Sequence, residues 1–184
     1  MNYNSVLQDI QLKDLLNKKP DPWVGTPYEG YVYINNKIKG KYGELFIEKL
    51  MLSHSHTVKP KNDAGHDRII DGIPTEIKFS LAMQDSKNPT QTIKDQFIFN
   101  HIAKNKPWDR CILVGVNYNC DPIIKWFTKK DFLSLVDSGP LFDQCNFFQR
   151  QQSGNKGSND DWMLTSNKWN TFLLQSWVRD ITEW

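Results

Sequence analysis

The stretch Gly65-His66-Asp67-Arg68-Ile69-Ile70-Asp71-Gly72-Ile73-Pro74-Thr75-Glu76-Ile77-Lys78 decides the fold. Asp71-Gly72 lies between Ile69-Ile70 and Ile73. A type I′ turn needs positive φ at both central residues, and this dipeptide tolerates it. The segment therefore predicts a two-residue β-hairpin. Counting outward from the turn, Ile70 faces Ile73, Ile69 faces Pro74, Arg68 faces Thr75 and Asp67 faces Glu76. Pairs alternate between hydrogen-bonded and not, so Asp67 and Glu76 form a non-hydrogen-bonded pair with Cα atoms about 4.5 Å apart. Lys78 follows Glu76 by two and projects from the same face, while Ile77 and Phe79 turn to the other, toward a core. Pro74 loses no bond to its hairpin partner in this register. It removes one bond toward a strand on the other side.

Two directly opposed carboxylates repel each other unless a counter-charge intervenes. A divalent cation supplies it, and Mg²⁺ favours one or two carboxylates, water and phosphate oxygens. There it acts as a Lewis acid and lowers the pKa of bound water. Lys78 is then placed to orient or deprotonate an attacking water and to offset phosphate charge. An ordinary hairpin with a solvated acidic pair is the alternative. The turn register and the buried-type residues on the opposite face favour the metal site. Asp71 belongs to the turn in this reading, and Asp63 is the substitute if Asp67 is not the site aspartate.

The hairpin resembles the motif of the PD-(D/E)XK nuclease superfamily. Asp67 matches the motif aspartate, Glu76 the acidic residue, Ile77 the variable position and Lys78 the lysine. His66 stands where the motif has proline. Upstream, Lys39-Gly-Lys-Tyr-Gly-Glu44-Leu-Phe-Ile-Glu48 looks like the first core helix of that fold, which often opens with glycines and carries a glutamate toward the metal. Downstream, Phe97–Ile102, Trp108–Val116 and Ile123–Thr128 resemble the element order of type II restriction endonucleases. The resemblance covers residues 39–136. It implies an α/β (α+β) fold, a mixed central sheet flanked by helices. Catalytic roles fall on Asp67, Glu76, Lys78 and Glu44, with Glu48 as the fallback helix carboxylate. Mg²⁺ is held by Asp67, Glu76 and Ile77. The implied substrate is double-stranded DNA, and a homodimer matches a two-fold target. A structure-directed nuclease (junction resolvase or repair nickase) and a non-catalytic DNA-binding protein of the same fold are the competing readings.

At 184 residues the chain suits a single domain, read as an N-terminal arm over 1–38, a nuclease core over 39–136 and a recognition and packing region over 137–184. A net charge of +2 does not itself argue for nucleic acid, although a local groove can carry the field. Cys111, Cys120 and Cys145 give no disulfide framework and no zinc spacing, and Cys111 lies in an apolar run that reads as buried. No basic stretch leads into an apolar one at the N-terminus, and no run approaches the ~20 residues of a membrane helix. A reducing cytoplasm and no membrane contact are the default expectations.

Along the chain, residues 5–17 carry a helical apolar stripe with Ser5 as N-cap, and prolines and glycines then make a loop. Tyr31–Ile34 reads as a short strand or as part of an arm anchored by Trp23, Tyr28, Tyr31 and Tyr33. A mostly buried helix is expected over 41–52, with Glu44 and Glu48 on one stripe. Those glutamates either line a solvated edge, or Glu44 approaches the Asp67–Glu76 pair. His54 and His56 read as a solvated loop pair, and 82–92 as a surface loop or a DNA-backbone contact. A helix over 92–104, strands over 111–116 and 123–128, and a helix over 129–136 capped by Thr128 follow. The tract 147–159 is rich in amides. Arg pairs bidentately with guanine, and Asn or Gln with adenine. Arg150, Gln151, Gln152, Asn155 and Lys156 are accordingly the expected DNA contacts. Trp162, Trp169, Trp177 and Trp184 read as anchors tying the tail to the body.

Overall fold

The computed structural model describes residues 20–60, 65–92, 96–136, 147–149, 161–164 and 169–184. The helix expected over 5–17, Asp63, Ile93, Cys145 and the five expected readout residues, Arg150 through Lys156, lie outside the described residues.

The hairpin forms in the register derived from its turn. Strand β2 (Arg68–Ile70) pairs antiparallel with β3 (Ile73–Leu81) through Arg68↔Thr75, Ile69↔Pro74 and Ile70↔Ile73. Asp71 and Gly72 have φ of 51° and 81°, as a type I′ turn requires. Two further strands extend this ribbon. Strand β1 (Val58–Pro60) covers the free edge of β2. Strand β5 (Arg110–Val116) lies parallel to β3 from Thr75↔Arg110 onward. Pro74 falls just before that ladder begins, and its carbonyl accepts the Asp109 N–H at 2.9 Å.

Strand β6 (Pro122–Thr128) runs antiparallel to β5, and β9 (Arg179–Asp180) closes the far edge, giving the order β1-β2-β3-β5-β6-β9. The architecture is α+β, with a mixed six-stranded central sheet. Strand β5 is buried at every residue from Cys111 to Val116, as expected of a strand covered on both faces.

Helix α1 spans Asn36–Ser53 and begins five residues before the expected 41. Asn35 caps it by accepting the Ile38 N–H at 3.0 Å. Its first turns bury nothing, so no apolar stripe announces them. Only Gly43, Ile47 and Met51 are buried, and Leu45 and Leu52 are exposed, so the helix is half-exposed rather than mostly buried. It crosses β3 closely: a Cβ on Gly43 would lie 2.4 Å from the Phe79 Cβ. Helix α2 (Lys129–Val136) matches its expected bounds, and the Thr128 hydroxyl accepts the Asp131 N–H at 3.1 Å.

Further expectations fail. Tyr31–Tyr33 is a 3₁₀ turn, not a strand. Within the segment read as a helix over 92–104, Phe99–Ala103 is strand β4. It pairs with β8 (Asp161–Leu164), which pairs with β7 (Phe147–Gln149), in a second sheet of order β4-β8-β7. The first three residues of the amide-rich tract over 147–159 are strand.

The aromatic load is largely core. Trp23 and Tyr28 are buried against this chain's own residues, while Tyr33 is exposed. Helix α3 (Trp169–Leu173) brings Trp169 onto Phe97, Phe99 and Phe172. Trp177 meets Phe127 at 5.6 Å and Trp184 meets Trp126 at 5.4 Å, with Arg110 over both Trp126 and Trp184. The tryptophans anchor the tail as expected. Among the described residues no helix is long and apolar enough to cross a membrane.

Candidate active site

Asp67, Glu76 and Lys78 come together at the open end of the hairpin. The β2–β3 ladder stops at Arg68, so Asp67 leaves the strand that the register alone would extend. Its N–H still donates to the Thr75 carbonyl at 3.0 Å. Its Oδ2 accepts the Ile77 N–H at 2.7 Å. The carboxylate thus replaces the strand partner that Ile77 lacks at this edge. The result keeps Asp67 beside Glu76 while departing from an ideal cross-strand pair.

Glu76 lies within the sheet with its side chain only 2% exposed. Its Oε1 accepts from Lys78 Nζ at 2.5 Å, and Lys106 Nζ stands 3.4 Å from the same oxygen. Its Oε2 is buried with no hydrogen-bond partner. A buried carboxylate oxygen without a donor costs free energy unless something cationic meets it. Burial, and then the charge of Glu76, push the Asp67 carboxyl above the ordinary aspartate range. Burial alone would pull the Lys78 ammonium down, but Glu76 and Asp67 outweigh it, and its net shift is upward. Cys111 pairs with Glu76 across the β3–β5 ladder. Burial first, then Glu76, raises its thiol well above the usual value, which makes it an inert core residue.

The helix glutamates have a partner that the sequence did not suggest. Arg68 faces Thr75, on the side of β3 that meets α1. Its Nη1 donates to Glu44 Oε2 at 2.5 Å and to the Asp67 carbonyl at 2.7 Å, and its Nε donates to Glu48 Oε2 at 2.8 Å. Neither glutamate lines a purely solvated edge. Glu44 also lines a cleft of about 570 Å³ together with Asp67, Ile77, Lys78, Lys39 and His101. The site therefore opens into a groove of mixed charge. His66, where the motif has proline, is buried, and neither ring nitrogen has a hydrogen-bond partner.

Asp71 is a turn residue, as expected. Its carboxylate accepts from the Thr57 N–H at 2.8 Å and lies 2.7 Å from His56 Nδ1. It ties the loop after α1 to the hairpin tip. His54 Nδ1 lies 2.9 Å from the Leu50 carbonyl, and the two histidines share no ligand geometry. Among the described residues no three His, Cys, Asp or Glu side chains converge as a metal cluster. Two carboxylates with main-chain and water oxygens still suit Mg²⁺, which needs no protein cage. Lys106 escaped the sequence reading because it reaches Glu76 from outside the hairpin, and Arg68, although within it, was not read as the partner of the helix glutamates. For Arg68 a signal existed: its predicted face opposite Thr75 is the helix face.

No protein-family model matches the chain. No curated protein matches it. Among solved structures, a bacterial homing endonuclease is similar over 54% of this chain and 70% of its own, at 15% identity and a TM-score of 0.39.

Proposed function

We propose that this chain is a Mg²⁺-dependent endonuclease of double-stranded DNA, of the PD-(D/E)XK kind. More narrowly, we propose a type II restriction endonuclease that cuts at a short specific sequence. The observation that carries this reading is the Asp67–Glu76 pair at the cleft, with Glu76 buried, one of its oxygens unpartnered and Lys78 on the same strand.

The donor set fits the metal. Asp67 and Glu76 would supply carboxylate oxygens. Ile77 would supply its main-chain carbonyl, which in a strand points to the same edge as its N–H, and that N–H meets Asp67. When bound there, Mg²⁺ would supply Lewis-acid polarisation of the phosphate and a bound water of lowered pKa. Lys78, holding its proton firmly, orients the attacking water and offsets phosphate charge rather than serving as the base. Glu44 supports the site from α1, at the cleft wall, through Arg68 and the Asp67 backbone. One such site cuts one strand, so a homodimer matches a palindromic target. The modest net charge of +2 favours sequence readout over shape readout by a broad basic surface.

Incubation with supercoiled plasmid, with and without Mg²⁺, tests the reading. Discrete linear fragments that require Mg²⁺ are expected. Cutting confined to branched substrates would replace restriction by junction resolution. Binding without any cutting would make the chain a non-catalytic DNA-binding protein.

A further inference from the structure

Glu76 carries two lysines. Lys78 reaches Oε1 from the same strand, and Lys106 reaches it from the loop between β4 and β5. Asp67, Glu76, Lys78 and Lys106 together sum to zero formal charge. A divalent cation on the carboxylates takes that group to +2, and like charges confined at short range repel. One lysine must then give way. Lys78 is 16% exposed, whereas Lys106 is 41% exposed and stands at the longer distance of 3.4 Å. The Lys106 backbone is held: its carbonyl accepts from Lys129 Nζ at 2.5 Å, and Pro107 packs closely on Gly65. Only the long side chain is able to turn.

We propose that Lys106 is a stand-in counter-ion for Glu76, one that leaves the carboxylate when a divalent cation binds and then takes a phosphate oxygen of the DNA. The proposal rests on the metal-nuclease reading and names a phosphate-binding residue for it. It predicts two effects of opposite sign. Removing the charge while keeping the bulk, in Lys106→Met, tightens divalent binding in the absence of DNA because no ammonium has to be displaced. The same change weakens DNA binding, because a phosphate contact is lost. A lysine with a merely structural role would weaken both or neither.

The experiment is calorimetric titration of Ca²⁺ into DNA-free wild type, Lys106→Met and Lys106→Arg, paired with duplex binding in Ca²⁺ at two salt concentrations. The methionine variant should bind Ca²⁺ several-fold more tightly and lower the salt slope by about one unit. The arginine variant should restore the slope. Unchanged or weaker Ca²⁺ binding by Lys106→Met, with wild type binding normally, overturns the proposal alone. Absence of Ca²⁺ binding by wild type overturns the metal site itself, and the proposal with it. Should the methionine variant fail to fold, Lys106→Gln carries the same two expectations.

Discussion

Burial, and after it the charge of Glu76, raise the Asp67 carboxyl against the opposing pull of the Ile77 N–H, Lys78 and Lys106. The folded protein therefore holds that proton more tightly than the unfolded chain. Stability contributed by this group falls as pH rises from the ordinary aspartate range through the raised value. Asp67→Asn keeps an acceptor for Ile77 and removes the charge. It should raise the metal-free melting temperature at neutral pH, with the gain shrinking on acidification, while abolishing cleavage. Thermal melts in EDTA at two pH values check this, and a lower melting point at neutral pH counts against it. Asp71 has the opposite sign. The Thr57 N–H, followed by His56, holds its carboxyl below the ordinary range, so its contribution is present at neutral pH and lost as pH falls through the lowered value. Asp71→Asn keeps the turn chemistry and alters only a surface contact with His56 and Thr57, so activity should survive. Urea melts and plasmid cutting of this variant test the assignment. A folded but inactive protein would move the site to the hairpin tip. These residues were legible because a two-residue turn fixes register on both sides. What the register could not foretell was that the ladder ends at Arg68, freeing the Asp67 side chain to cap Ile77.

The junction of β2 with α1 depends on Arg68, which is buried and binds Glu44, Glu48 and the Asp67 carbonyl. Breaking a buried ion pair costs about 3–5 kcal/mol; with Glu48 a third exposed, Arg68→Met should cost roughly 2–3. Chemical denaturation should show that loss, and Glu44→Gln with Glu48→Gln in the same chain should recover part of it. Strict additivity would mean that the three side chains do not interact. Gly43→Ala pushes a methyl into Phe79 and should destabilise by about 1–3 kcal/mol, readable in the same denaturation series. A neutral effect would show that α1 is able to shift away from β3. The sequence misjudged one element here for a physical reason. Phe97 and Phe99 alternate inward as a strand does, but His101 adopts φ of 60° and a bulge follows Phe99. The bulge brings Ile102 inward three residues after Phe99, and that spacing imitates a helix. Strand β9, two residues long, offers no pattern to read.

The chain folds its C-terminal part back onto the central sheet, where Lys125 pairs with Asp180 at 2.6 Å and Trp126 donates to the Asp180 carbonyl at 2.9 Å. This return was foreshadowed by four tryptophans in the tail. The partner strands were not, because edge pairings depend on contacts distant in sequence. In sequence, residues 150–156 follow β7 and precede β8, and they lie outside the described residues. If this tract reads DNA, Arg150→Ala should cost about 1–3 kcal/mol, mainly at the cognate site, while Lys156→Ala should weaken all sequences alike. Binding to cognate and random duplexes in Ca²⁺ separates the two, and no change in either would send the search for readout to residues 81–92 or the N-terminal arm. The most direct test of the site itself is cleavage of a sequenced linear DNA by wild type and Glu76→Gln, side by side in Mg²⁺, with melting temperatures measured on the same samples. The expected result is discrete fragments from wild type and none from Glu76→Gln, with the variant melting at or above the wild-type temperature. Cutting by the folded Glu76→Gln protein at the wild-type rate would contradict the assignment of Asp67 and Glu76 as the metal-holding pair.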